Sequence, residues 1–191
     1  MNQRNLLEVD WSKIPAPVDD SGAAHLVGMM VPPISLRATD DTMVTLSALS
    51  ARAVVFAYPR TGEPGKIALV DDWDLIPGAR GCTPQTCAFR DLFAELKAAG
   101  AAHVYGLSTQ DNAYQTEMAS RLHLPFPVLS DGKLALTSAL RLPVMEVAGL
   151  TLIKRLTLVI DEARITHVFY PVFPPDQNAA EVLAWLKENP V

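Results

Sequence analysis

Cysteine is scarce in this chain: there are two in 191 residues, Cys82 and Cys87. Two thiols five positions apart cannot staple a fold of this size, so a structural framework of disulfides is ruled out. Long apolar runs are missing too. The longest, around 54–58 and 156–160, have the length of strands and fall far short of a bilayer. The first ten residues lack the apolar core of a secretory signal. Lysine and arginine form no cluster, and the formal net charge is −5. Without a phosphate-neutralising face, neither nucleic acid nor an anionic membrane is an expected partner. The four histidines, His25, His103, His123 and His167, stand singly, with no metal-ligand spacing to one another or to the cysteines, so no metal is expected. No repeat or low-complexity tract is present. The expectation is a soluble cytoplasmic protein.

What remains is the composition of a packed domain, 49% hydrophobic and 19% charged. Residues 1–28, punctuated by Pro15, Pro17 and Gly22, read as an N-terminal extension in which Trp11 and Ile14 could dock on a surface. The domain proper is expected over 29–191. Segments 34–36 and 43–46 read as a hairpin, and 53–57 as a strand buried on both faces. A loop rich in Gly, Pro and Asp fills 59–77, a length that is usually functional inside a compact domain. Its acidic residues Asp71, Asp72 and Asp74 read as solvated carboxylates.

A helix is expected over 83–99. Pro84 suits its first turn, Phe89, Leu92, Phe93 and Leu96 recur at helical spacing, and Gly100 stops it. Strands follow at 104–107, 128–129, 156–160 and 165–169, the last two joined as a hairpin through residues 161–164. Helices are expected at 112–122, 133–140 and 179–187. Strands alternating with helices predict an α/β fold with a mixed central sheet covered on both faces. The Phe169–Phe173 region, with Pro171, Pro174 and Pro175, reads as core covering, a dimer contact or a wall of the active site.

The two cysteines are where chemistry is expected. Most free cysteines are small buried hydrophobes, but Cys82 lies where the long loop meets the helix. Unpaired backbone N–H groups and the positive end of the helix dipole there favour thiolate over thiol. Arg80 and Arg90 add positive charge nearby in sequence, and Gly81 permits close backbone approach. Cys87 sits about 7.5 Å further along the helix axis, on a different face. A disulfide needs Cα atoms within about 7 Å, so the pair can join only if the first turns unwind. A transient catalytic bridge fits that placement; a static one does not. The expected sequence is attack of the Cys82 thiolate on a peroxide, a sulfenic acid, closure by Cys87 and reduction by an external dithiol. No organic cofactor is required.

The segment Gly81-Cys82-Thr83-Pro84-Gln85-Thr86-Cys87-Ala88-Phe89-Arg90-Asp91 resembles the active-site segment of the peroxiredoxin Q subgroup, also called bacterioferritin comigratory protein. Residues 104–109, 126–131 and 154–161 extend the resemblance in register. It implies a thioredoxin-like fold, reduction of hydrogen peroxide or alkyl hydroperoxides, thioredoxin or a similar dithiol as reductant, and a monomer or homodimer. It also implies that Arg155 reaches the thiolate and the peroxide. One departure matters. The family carries a Pro and a Thr/Ser seven and three positions before the cysteine, where this chain has Leu75 and Ala79. One expectation is that the 59–77 insertion folds outward and Thr61 supplies the missing hydroxyl; Thr83 or a backbone N–H are the alternatives. A redox sensor and a thiol-disulfide oxidoreductase using the same pair are the competing functions, although the Cys-x-x-Cys signature of the latter is absent.

Overall fold

The computed structural model describes residues 9–191. In chain order the regular elements are β1 (Ser35–Ala38), β2 (Met43–Thr45), β3 (Ala53–Ala57), α1 (Cys82–Asp91), α2 (Phe93–Ala98), β4 (His103–Ser108), α3 (Asn112–Arg121), β5 (Val128–Ser130), α4 (Ala135–Leu140), β6 (Val144–Val147), β7 (Leu150–Ile153), β8 (Leu156–Asp161), β9 (Arg164–Phe169) and α5 (Asn178–Glu188). Seven strands form one sheet in the order β2-β1-β5-β4-β3-β8-β9. β3 runs parallel to β4 and β4 parallel to β5, while β8 pairs antiparallel with β3, so the sheet is mixed as its pattern implied.

β3 is the hub of this sheet. All five of its residues are buried, and successive side chains leave on opposite faces. Val55 joins a core with Leu36, Leu107, Leu129 and Leu158. Val54 and Phe56 join the other, with Cys82, Cys87, Phe89, Leu96, Met118 and Leu186. Both cysteines therefore pack beneath the helices of this second face.

The chain departs from the expected elements in two places. Residues 83–99 form two helices, because Leu92 leaves helical geometry at φ −100° and ψ 12°. The break lets Phe89 stack flat on Phe56 (centroids 4.1 Å apart) while Phe93 turns to Phe126 at 5.7 Å. No Gly or Pro marks it, so periodicity alone reads through. The β6–β7 hairpin was not foreseen at all. Its two-residue turn places Ala148 and Gly149 at positive φ, and Ala-Gly is a weak hairpin signal beside Asn-Gly. Val147 and Leu152 pack with Trp73 and Ala79, so this hairpin supports the 59–77 loop from behind.

Within the segment read as an N-terminal extension, several residues dock on the domain. Ala23 and Leu26 belong to the first core. Gly28 N–H donates to the Ile165 carbonyl and Val31 N–H to that of Ala163, which ties the segment to the sheet edge. Trp11 Nε1 donates to Asp176 at 2.9 Å and its ring meets Phe173 edge-on. Among the described residues no helix is long and apolar enough to cross a membrane. Leu26→Ala removes a fully buried side chain and is expected to destabilise the whole domain by about 2–4 kcal/mol, measured as a shift of the urea midpoint at unchanged slope. A midpoint that stays put would show the segment to be a detachable appendage.

Candidate active site

Cys82 is the first residue of α1, 3% exposed. Gly81 caps the helix at φ +105°, a left-handed conformation in which a side chain is strained. It is also the only residue type that fits. A Cβ there would lie 2.6 Å from the Trp11 ring and 2.7 Å from the Pro175 ring. No side chain among the described residues caps the first turn, and Pro84 has no N–H to leave unpaired. The positive end of the α1 dipole thus lies at the residue that carries the sulfur.

Arg155, two per cent exposed, immediately precedes β8 of the central sheet. Its Nη2 donates to the Cys82 Sγ at 3.2 Å and lies 3.2–3.4 Å from the carbonyl oxygens of Gly78, Ala79 and Arg80. Its Nη1 donates to Gln85 Oε1 at 2.5 Å. Gln85 in turn donates to Asn178 Oδ1 at 3.0 Å, and Thr157 donates to the same oxygen at 2.6 Å. The loop before Cys82, the second turn of α1 and the first residue of α5 are therefore tied to one guanidinium. Its other acceptors are neutral oxygens, and the sulfur is the one hydrogen-bonded partner able to carry a compensating charge.

Cys87 lies on the buried side of α1, inside the apolar cluster with Phe56 and Phe89. Both thiols are free. The intervening turn is closed: Gln85 N–H donates to the Gly81 carbonyl and Thr86 Oγ1 to that of Cys82. Burial pushes the Cys87 thiol above its ordinary range, partly opposed by Arg90. Arg90 itself is held by Asp91 at 2.8 Å and by the Leu122 carbonyl, so it attends Cys87 rather than Cys82.

A cavity of about 970 Å³ opens over Cys82. Arg60, Thr61, Trp73, Thr83 and Tyr114 line it, with residues 65–69 of the inserted loop as its outer wall. Thr61 shares the cavity with Cys82. Its hydroxyl, however, donates to Gln110 Oε1 at 3.1 Å, which leaves only lone pairs for a ligand. Its carbonyl accepts from Tyr114 at 3.0 Å.

The redoxin family profile matches residues 26–183. Peroxiredoxin Q of Oryza sativa subsp. japonica is 33% identical over 84% of the chain and 66% of its own length. That of Sedum lineare is 30% identical over 84% of the chain and 77% of its own length. Both are chloroplastic proteins. The chain is a redoxin of the peroxiredoxin Q subgroup. The crystal structure of peroxidoxin BcpB from Mycobacterium tuberculosis superposes with a TM-score of 0.69 at 27% identity, covering 86% of this chain and 98% of that one. The thioredoxin-like α/β fold follows from the same comparison. The chain spans just under two thirds of the rice protein's length.

Within this redoxin, position 79 is a fully buried alanine and position 75 an exposed leucine. Sequence reading brought together Cys82, Cys87, Arg155 and Thr61. It missed Gln85, Asn178, Thr157 and the Trp11–Pro175 clamp on Gly81. A polar Gln85 amid buried helix positions was the one available signal; the others come from tertiary contacts that leave no local pattern. In a Cys82→Ser chain, iodoacetamide should alkylate Cys87 slowly at neutral pH, the rate climbing only above the ordinary thiol range. The sign follows from burial, which disfavours the thiolate and delays its appearance to higher pH. Rapid alkylation at pH 7 would show Cys87 to be exposed in solution.

Proposed function

We propose that the chain is a thiol-dependent peroxidase that reduces hydrogen peroxide and alkyl hydroperoxides, with Cys82 attacking and Cys87 resolving. The observation that carries this reading is the Cys82 sulfur at the open end of α1, 3.2 Å from the Arg155 guanidinium and facing the large cavity. A sulfur anion there is met by a fixed cation and a helix dipole, and so is the oxyanion that leaves. The Cys82 thiolate attacks the distal oxygen of the hydroperoxide. The O–O bond breaks as the S–O bond forms, the hydroperoxide proton passes to the departing oxygen, and alcohol or water leaves with Cys82 as sulfenate. After protonation, the Cys87 sulfur displaces hydroxide from the sulfenic acid, and one water is released as the disulfide forms. A thioredoxin-like dithiol restores both thiols by exchange.

The second step cannot occur on an intact α1, whose rise separates the two positions by about 7.5 Å. Unwinding breaks the Thr86–Cys82 and Gln85–Asn178 hydrogen bonds and lifts Cys87 out of the cluster around Phe56 and Phe89. Each bond costs about 1 kcal/mol net to lose, so resolution is expected to be the slower step. Thr61 presents acceptor lone pairs to the cavity and orients the O–H of the incoming hydroperoxide.

Mass spectrometry after one equivalent of hydrogen peroxide tests this order. Wild-type chain should lose 2 Da as an intramolecular disulfide, Cys87→Ser should trap a dimedone adduct on Cys82, and Cys82→Ser should remain unoxidised. Oxidation of the Cys82→Ser chain at the wild-type rate would overturn the reading. Thr61→Val, followed by stopped flow, should oxidise more slowly; an unchanged rate removes Thr61 from the peroxide site.

A further inference from the structure

The residue before Pro59 is Tyr58, and its ring is sealed in the same cluster as Cys82, Cys87 and Phe56. Its centroid lies 6.1 Å from that of Phe56. The side chain is fully buried, and among the described residues no group accepts a hydrogen bond from its hydroxyl. A phenol is an apolar body with a polar tip, and the tip normally finds a partner when buried. An orphaned hydroxyl inside a packed core is a standing cost, which Phe at this position would avoid. Such a group in a native protein needs an explanation, and a place in the reaction is one.

Its surroundings indicate the place. The ionisable groups whose charges reach the Tyr58 hydroxyl are Cys82, Arg155 and Tyr114. Burial, and the negative charge of Cys82 after it, hold the phenol well above its usual range. It therefore keeps its proton and can act only as a neutral donor or acceptor at any working pH. Few donors are left for such a part, the buried Nε of Arg155, unpartnered among the described residues, being one of them. Position 79 offers only a methyl group, the Thr61 proton is engaged by Gln110, and Arg155 spends its Nη groups on the sulfur, three carbonyls and Gln85.

We propose that the Tyr58 hydroxyl is the hydrogen-bond donor to the oxygen that Cys82 takes from the peroxide. The inference rests on the peroxidase reading above. In the reduced chain the hydroxyl makes no hydrogen bond to the sulfur, so it adds none to the resting thiolate. Its acceptor arrives with the substrate: the distal peroxide oxygen turns anionic as the S–O bond forms and stays anionic in the sulfenate. Tyr58 keeps its own proton throughout. Thiolate and hydroperoxide still become sulfenate and alcohol, with the hydroperoxide proton carried off on the leaving oxygen. A donor that is orphaned in the ground state and paired only as the reaction proceeds lowers the barrier without tightening substrate binding. Thr61 and Tyr58 thereby divide between two side chains the acceptor and donor parts that one hydroxyl at position 79 would play.

The test is Tyr58→Phe, which keeps the ring and deletes the hydroxyl. Stopped-flow oxidation of the reduced protein by hydrogen peroxide should slow by about ten- to a hundredfold. The thiolate absorbance titration of Cys82 near 240 nm should be superimposable on wild type, and the melting temperature unchanged or higher. An oxidation rate within twofold of wild type overturns the proposal. So does a loss accompanied by a displaced thiolate titration or a lowered melting temperature, which would mean that Tyr58 only packs the site. Ala79→Ser in the Tyr58→Phe background is the second arm: its hydroxyl should recover part of the lost rate, and a further loss counts against the proposal. A wild-type chain that peroxide does not oxidise at all would sink the peroxidase reading, an outcome distinguishable from failure of Tyr58 alone.

Discussion

A buried guanidinium in hydrogen-bond contact with one thiol sulfur governs this structure. Arg155 is withdrawn from water, meets carbonyls and an amide on most of its donors, and finds in the Cys82 sulfur the one group able to offset its charge. Leaving a buried cation uncompensated is costly, so burying Arg155 and forming an anion on the sulfur favour each other. The dipole of α1 acts in the same direction from the opposite side. The scaffold enforces this meeting. β8 is fixed against β3, α1 is fixed by Phe89 on Phe56, and Gln85 and Asn178 keep the guanidinium from turning away.

The helix that presents Cys82 is also built to come apart. Its first turns hold Thr83 and Thr86, which are poor formers of helix interior, and Thr86 bonds back onto the Cys82 carbonyl, a pattern that weakens a turn. Against this, the turn is pinned from outside by Trp11 and Pro175 across Gly81 and by Gln85 through Arg155. Low intrinsic propensity under tertiary restraint gives a segment that stays ordered while the thiol waits. On the proposed mechanism it opens locally for a Cys82 sulfenate and Cys87 to meet.

Most of the architecture was legible because its signals are local. The apolar run 53–57 and the paired patterns at 156–160 and 165–169 correspond to β3, β8 and β9. The hidden features have tertiary causes. Leu92 breaks the helix to serve two aromatic contacts, and β6–β7 turns on an Ala-Gly pair whose strands are half exposed. In the site, the sulfur pair was readable from spacing and Arg155 from register. Thr61 lines the cavity over Cys82, but the engagement of its proton by Gln110, 49 residues away, lies beyond any window of sequence. Tyr58 reads as one more apolar residue after a strand, and only its unmatched hydroxyl marks it.

Replacing Arg155 by Lys keeps a positive charge but removes the planar fork that spans the sulfur, the loop carbonyls and Gln85. The most direct measurement is the second-order rate of Cys82 oxidation by hydrogen peroxide in the Arg155→Lys chain, with folding verified by circular dichroism. A fall of about a hundredfold or more is expected. A folded variant that reacts at the wild-type rate would contradict the guanidinium–sulfur contact as the basis of reactivity.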